Sequence, residues 1–236
     1  MPKTSYLCST NRRATYPREE DPTFSLQTDL IANGARCVPL LWLAMFRSAD
    51  IVRRTVVTRT EPTLFIELST WQQKIREPQN IEIETEAPIT SVGRAIEQIE
   101  AAIPYFNAMF QEEGRLDDYA ELLIQALRFV TKKFVTIDLE EIAGLVGDEC
   151  FWGSIRAALE HIGSPPTRAA KERLIDIAGF ENLRRFPPAN LALDDRRDAP
   201  FDDWGNHWRV LGQGVRESGF GRAVPWELEP RDGAWA

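Results

Sequence analysis

The stretch "CVPLLWLAMF", residues 37–46, is an unbroken run of ten apolar residues. It is too short to cross a bilayer, because a transmembrane helix needs about 20 such residues. Its Leu, Ala and Met content favours a helix over a strand. Pro39 suits the first turn of a helix, where its missing N–H costs nothing. The run therefore predicts a buried helix from about Pro39 to Phe46, and the alternative is a helix exposed at an interface.

The composition around this run is that of an ordinary globular protein. The chain has 236 residues, of which 43% are apolar and 27% are charged. This is long enough to build one substantial core. The N-terminus has no apolar run of signal-peptide length, and no segment approaches the length of a membrane span. We therefore expect a cytoplasmic protein that does not contact a membrane.

The first 90 residues predict short strands beside the buried helix. "SYLCST" (5–10) alternates apolar and polar residues, as a strand does. The β-prone segments 53–60 and 63–70 are separated by Glu61–Pro62, which predicts a hairpin or a sharp turn between them. "TWQQKIRE" (70–77) is interpreted as a helical turn. "NIEIETEAPI" (80–89) alternates again and predicts another strand.

From residue 91 to residue 180 the apolar spacing becomes helical. Ser91 is a suitable N-cap for a helix that runs to about Pro104. "LDDYAELLIQALRFVTKK" (116–133) is the clearest amphipathic helix in the chain. A short strand at 134–137 and three further helices follow, in the segments 139–146, 150–163 and 167–180, the last ending at Gly179.

Beyond residue 180 the helical periodicity fails, and Pro, Gly, Asp and Trp accumulate. Four of the seven Trp residues lie between positions 204 and 236. A disordered tail is rarely so aromatic, so we expect an ordered, irregular segment that wraps over the body of the protein. The prediction is a mixed α/β (α+β) fold in a single domain, 1–236. Within it, 1–90 is β-rich with one buried helix, 91–180 is helical, and 181–236 is the Trp-rich irregular wrap.

Charge is unevenly distributed along the chain, whose net charge is −8. Residues 1–60 carry nine Lys or Arg and five Asp or Glu, whereas residues 61–121 carry four and thirteen. The negative field of residues 61–121 repels nucleic acid and anionic membranes and attracts basic partners. We therefore expect a basic protein partner and no nucleic acid.

The acidic segment contains three carboxylates in a row. As a strand, "NIEIETEAPI" places Glu82, Glu84 and Glu86 on one face, because side chains alternate with period two. One interpretation is a solvent-facing edge whose like charges discourage pairing with another strand. The other is a contact surface for a basic partner, since like charges on one face repel each other unless something positive meets them.

No catalytic or metal-binding motif is convincing. The three cysteines lack CxxC spacing and are interpreted as small buried hydrophobic residues. The helix pair over 138–163 has the small-residue spacing of a helix-turn-helix, but Gly153 and Arg156 stand where that motif needs apolar packing residues. The pair also carries six acids and one Arg, so we expect two packed helices rather than a nucleic-acid-binding motif. The glycines after residue 210 lack the context of a phosphate loop. We expect no metal and no cofactor.

One short segment has the residue types for chemistry. "DDWGNHW" (202–208) gathers Asp202, Asp203 and His207, which are suited to acid–base chemistry. Acidic turns of this kind more often cap the backbone that follows. An enzyme of unrecognised type with a site at these residues is the alternative hypothesis.

The acidic chain without a catalytic signature, opening on "SYLCSTN" (5–11) and "CVPLLWLAMFRSADI" (37–51), resembles uncharacterised bacterial immunity proteins of polymorphic toxin systems. The resemblance implies a protein that binds a cognate toxin and blocks it. It carries no family residues over to this chain. The leading hypothesis is a toxin inhibitor that contacts its partner through Glu82, Glu84 and Glu86, with Trp204 and Trp208 as aromatic anchors.

Overall fold

The protein has an α+β fold, as the sequence predicts. The computed structural model describes residues 4–11, 29–59, 63–67, 72–76, 80–111, 113–140, 142–143, 148–180 and 204–213. The strands are β1 (Thr4–Thr10), β2 (Leu30–Ala35), β3 (Ile51–Arg59), β4 (Thr63–Glu67), β5 (Gln72–Arg76), β6 (Asn80–Ser91) and β7 (Phe134–Asp138). The helices are α1 (Leu40–Ala44), α2 (Val92–Met109), α3 (Asp117–Arg128), α4 (Asp148–His161), α5 (Arg168–Ala178) and α6 (Trp204–Leu211).

Five strands form one antiparallel sheet in the order β2-β1-β7-β6-β3. Strand β6 has two partners in succession. Its residues 80–88 pair with β3, whereas only residues 89–91 pair with β7. The first part of β6 and its partner β3 therefore form a two-stranded ribbon that extends past the sheet. We call this pair, residues 51–59 and 80–88, the ribbon.

Helix α1 is the centre of the hydrophobic core. Every residue from Leu40 to Phe46 is at most 2% exposed. The helix contacts all the other helices of the described chain. The indole Nε1 of Trp42 donates a hydrogen bond to the carbonyl oxygen of Leu211 at 2.9 Å. The predicted buried helix is thus confirmed, and its one polar side-chain group is paired, as a buried indole requires.

The C-terminal part of the described chain docks on this core. Helix α6 lies within the segment expected to be irregular, so that expectation was wrong for residues 204–211. Val210 and Leu211 are fully buried. After the helix, Asn33 and Gln213 exchange two backbone hydrogen bonds of 2.7 Å, which extends the outer edge of β2. The remainder of the predicted wrap, 181–203 and 214–236, lies outside the described residues.

Two predictions about the local elements and one alternative of a third were wrong. Residues 72–76 form strand β5 rather than a helical turn, because their backbone groups pair with β4. Strand β3 pairs with β6 and does not form a hairpin with β4, whereas the other alternative, a sharp turn at Glu61–Pro62, lies outside the described residues. Helix α2 continues through Pro104 to Met109. Pro104 is on the exposed face, where the carbonyl it leaves unpaired is accessible to water, while Phe106 and Met109 extend the buried face.

No helix among the described residues combines the length and apolar character that a bilayer crossing requires.

The close approach of the segment after α6 to α1 predicts a strong effect of one methyl group. Gly212 has φ of +82°, and a Cβ there would lie 2.6 Å from Cζ2 of Trp42 and 2.8 Å from the carbonyl oxygen of Asn33. We expect Gly212→Ala to lower the free energy of unfolding by about 2 kcal/mol or more, through strain and overpacking. Urea denaturation measures the change.

Gly93→Ala is the matched control, since a Cβ at Gly93, in the first turn of α2, meets nothing within 4 Å. We expect it to be neutral or to stabilise the protein by up to about 1 kcal/mol. Equal effects of the two substitutions would contradict the packing described for Gly212.

Candidate binding cleft

A cleft of about 400 Å³ separates the ribbon from helix α4. The helix contributes residues at positions i, i+3, i+4 and i+7, which share one face. The ribbon contributes Glu84 and Glu86, which share one face of β6 because their positions differ by two. Arg53 of β3 is the direct cross-strand neighbour of Glu86. The lining residues are Arg53, Glu84, Thr85, Glu86, Glu149, Trp152, Gly153 and Arg156.

Glu86 joins the two walls of the cleft. Its Oε1 forms an ion pair with Nη2 of Arg156 on α4 and lies 3.7 Å from Nε of Arg53 on β3. The Glu86 side chain is only 17% exposed, and its second oxygen, Oε2, is buried without a hydrogen-bond partner in the described structure. This carboxylate is therefore used internally: it ties the ribbon to α4.

Glu84 and Glu149 are in a different situation. Both residues are exposed, Glu84 on the ribbon and Glu149 on α4. Within the described part of the chain neither forms an ion pair. Among the described lining residues there are three carboxylates and two guanidinium groups, and both guanidinium groups lie within 4 Å of Glu86. Arg156 has the closer contact with Glu86, whereas Arg53 is 83% exposed. The described lining therefore offers a ligand two carboxylates without an ion pair and, beside them, one exposed guanidinium group.

Trp152 is a fixed aromatic wall of the cleft. It is 8% exposed, and its ring packs edge-to-face against Phe151, with 5.5 Å between centroids and 76° between planes. The neighbouring residue, Gly153, has no side chain, and a Cβ there would meet nothing within 4 Å. The space beside the indole is therefore open, whereas the ring itself is held in place by the core.

The structure brings together only part of the predicted contact surface. Glu84 and Glu86 line the cleft, and Glu82 is on β6 with its side chain outside the described part. Trp208 is half-buried on α6, which packs beside β2, at the opposite edge of the sheet from β3. Trp204 is on the same helix, with its side chain outside the description. Trp208 and the glutamates consequently do not form one surface.

The proposed chemistry at 202–208 lies largely outside the described structure. This holds for Asp202, for Asp203 and for the side chain of His207, so the enzyme hypothesis stays a prediction. In the described ranges, no group of three or more His, Cys, Asp or Glu residues is placed to hold a metal ion.

Sequence reasoning missed the α4 wall of the cleft. Glu149, Trp152 and Arg156 have the spacing of one helix face, which was interpreted only as helix packing. Gly153 and Arg156 were noted as departures from a helix-turn-helix pattern, and both line the cleft. That departure was the available signal, although it does not reveal which strand lies opposite.

A second polar cluster is structural. The carboxylate of Asp50 accepts hydrogen bonds from the backbone N–H of Arg47 at 2.8 Å and from Nε2 of Gln98 at 3.1 Å, and it lies 3.5 Å from Nη2 of Arg94. It caps the 3₁₀ turn Ser48–Asp50 and ties it to α2. Burial lowers the pKa of Arg47, and the Asp50 carboxylate opposes that effect. These charged groups pair with one another and join the 3₁₀ turn to α2.

The cysteines differ in environment. Cys8 and Cys37 are buried, as expected, whereas Cys150 on α4 is exposed, which corrects the prediction that all three are buried. Burial raises the pKa of Cys37 to about 11, with the charge of Arg209 acting in the opposite direction. The Cys37 thiol therefore keeps its proton over the physiological range.

Thiol labelling tests this assignment. Cys150 is exposed, so we expect an aromatic disulfide reagent at about pH 8 to modify it rapidly in the native protein. Cys8 and Cys37 should react only after denaturation. A Cys150→Ser variant is the control, and rapid native-state labelling of that variant would contradict the described burial.

No protein-family model, no curated protein sequence and no solved structure matches this chain.

The tie between the ribbon and α4 can be tested by removing its α4 side. Arg156→Ala leaves a largely buried carboxylate with only the longer contact to Arg53, so we expect a loss of about 1–2 kcal/mol in the free energy of unfolding. We also expect the substitution to accelerate amide hydrogen exchange, relative to the wild type, more in the ribbon, residues 51–59 and 80–88, than in β1 and β7.

Arg168→Ala is the matched control. Arg168 pairs with Glu172 at 2.8 Å, but the two side chains are 91% and 56% exposed. An exposed i,i+4 pair contributes about 0.3–0.5 kcal/mol. If Arg156→Ala were as mild as this control, Glu86 would not hold the ribbon.

Proposed function

We propose that this chain is a protein-binding module that recognises a basic segment of a partner protein at the cleft between the ribbon and α4. The observation that carries the proposal is the position of Glu84 and Glu149. They are exposed on opposite walls of the cleft, and neither is neutralised within the described chain. The other cleft carboxylate, Glu86, already has two cationic partners.

The way the cleft is built supports binding. Its charges are presented by a strand and a helix rather than by loops, and Glu86 holds these two elements together through Arg156. Little conformational entropy is then lost when a partner binds. Negative charge on an exposed rim speeds association with a basic partner and disfavours acidic ones.

The lining residues favour a binder over a catalyst. The charged groups of the described lining are carboxylates and guanidinium groups. A hydrolytic or transferase site with a hydroxyl nucleophile needs a base beside that hydroxyl. In the part of the lining that the structure describes, the one hydroxyl group is that of Thr85, whose Oγ1 lies 3.5 Å from the backbone carbonyl oxygen of Glu86. The arrangement therefore supports recognition of charge.

We further propose that the partner is a bacterial toxin with a basic surface and that the chain is its cytoplasmic immunity protein. This inhibitor would act by covering a basic active site or substrate-binding surface. The support is the acidic middle segment, the preorganised acidic cleft and the resemblance in general character to immunity proteins of polymorphic toxin systems.

Peptide binding tests the proposal. The probes are fluorescein-labelled peptides of equal length, one rich in Arg and Lys, one in which Gln replaces every basic residue, and one acidic. We expect only the basic peptide to bind, and binding to weaken between about 50 mM and about 300 mM salt. The double substitution Glu84→Gln/Glu149→Gln should reduce affinity about tenfold, because two exposed charge pairs are lost.

The double substitution Glu97→Gln/Glu100→Gln is the matched control. These exposed residues are on α2 and do not line the cleft, and the variant has the same net charge as the test variant. We expect it to bind the basic peptide within about twofold of the wild type. Equal losses in both variants would mean that net charge, and not the cleft, attracts the peptide.

A further inference from the structure

We infer that the cleft takes the side chain of a single arginine from the partner and prefers it to lysine. This inference rests on the proposed function and names the residue type that anchors the basic segment. It is carried by the combination of one aromatic wall and two unneutralised carboxylates in one cleft, namely Trp152, Glu84 and Glu149.

The cleft has room for one long side chain. Its volume is about 400 Å³, within the range of about 300–1000 Å³ for ligand pockets. The absence of a side chain at Gly153 leaves the space beside the indole open. The partner inserts one residue there, and its remaining contacts lie on the rim.

The chemistry of the walls favours a guanidinium group. A planar guanidinium packs against the part of the Trp152 indole that reaches the cleft, and it still directs N–H groups outward in its own plane. Glu84 on the ribbon and Glu149 on α4 are the acceptors on the two sides. A lysine ammonium is a compact and strongly hydrated charge, and it lacks the planar fork that engages both an aromatic wall and two carboxylates.

The cleft's own arginines argue against an anionic ligand. Both guanidinium groups contact Oε1 of Glu86. Arg53 is 83% exposed and is accessible to an anion. An incoming carboxylate or phosphate would nevertheless have to compete with Glu86 for Arg156, and it would also face Glu84 and Glu149. An incoming cation meets the two free carboxylates and leaves the Glu86 cluster intact, because Arg156 already occupies the position beside Glu86.

Nuclear magnetic resonance on the ¹⁵N-labelled full chain tests the inference without any substitution. The probes are the N-acetyl amides of arginine, lysine and citrulline, with inorganic phosphate as the anionic probe. We expect the arginine derivative to shift the Gly153 amide and the Trp152 indole N–H saturably, with a dissociation constant of about 1 mM or weaker. The lysine derivative should bind at least about fivefold more weakly, and citrulline and phosphate should cause no saturable shift.

Two substitutions locate the effect. Glu149→Gln should weaken arginine binding at least about threefold, because one of two charge contacts is lost. Glu160→Gln, an exposed residue on the same helix outside the cleft, should leave it unchanged. Both signals are observed in every variant, so loss of binding is distinguished from loss of folding.

The outcomes separate the inference from the proposed function. Equal binding of arginine and lysine, saturable phosphate binding, or shifts that avoid Gly153 and Trp152 would each overturn the arginine preference. The proposed function would still stand if the basic peptide bound in a manner that depends on Glu84 and Glu149. If neither the basic peptide nor the arginine derivative bound, both would fail.

Discussion

Burial of α1 is the constraint on which the rest of the structure depends. Each large apolar side chain in Leu40–Phe46 contributes about 1.5–3 kcal/mol when it leaves water, and all of them are buried. A short helix with no polar face requires apolar partners on every side, and the other described helices supply them. The one polar group, the Trp42 indole N–H, has its acceptor in the Leu211 carbonyl. That bond brings α6 and Gly212 against the core and places Gln213 beside Asn33, at the edge of β2.

The candidate binding cleft lies at the opposite edge of the sheet, beside β3. The ribbon leaves the sheet because β6 pairs with β7 only at residues 89–91. Helix α4 buries Phe151, Ile155 and Leu159 in the core. Its neighbouring face, with Glu149 and Arg156, is therefore directed at the ribbon. The core thus supports the α4 wall of the cleft. A single largely buried carboxylate, that of Glu86, attaches the other wall, the ribbon, to α4.

Sequence reasoning reached the elements whose causes are local. The apolar run of α1, the amphipathic stripe of α3 and the left-handed Gly179 that ends α5 were all predicted. Strand partners were not, because the pairing of β3 with β6 depends on contacts between distant residues. Helix α6 is amphipathic, but a pattern of only eight residues is too short to distinguish a helix from an irregular segment. For the cleft, Glu84 and Glu86 were identified from the alternation of β6. Trp152 and Glu149 could not be recognised as cleft residues from the sequence, because the sequence does not show that the ribbon lies opposite α4.

The central claim is that a partner contacts the unneutralised carboxylates of the cleft. Carbodiimide footprinting with glycine ethyl ester tests this directly, when the free chain is compared with its complex with the partner that co-purifies with it from its native host. The modified peptides are then identified by mass spectrometry. The account predicts that the partner protects Glu84 and Glu149 from modification. Protection confined to other exposed carboxylates, such as Glu97 or Glu121 on the helices, or no protection by a basic protein, would contradict it.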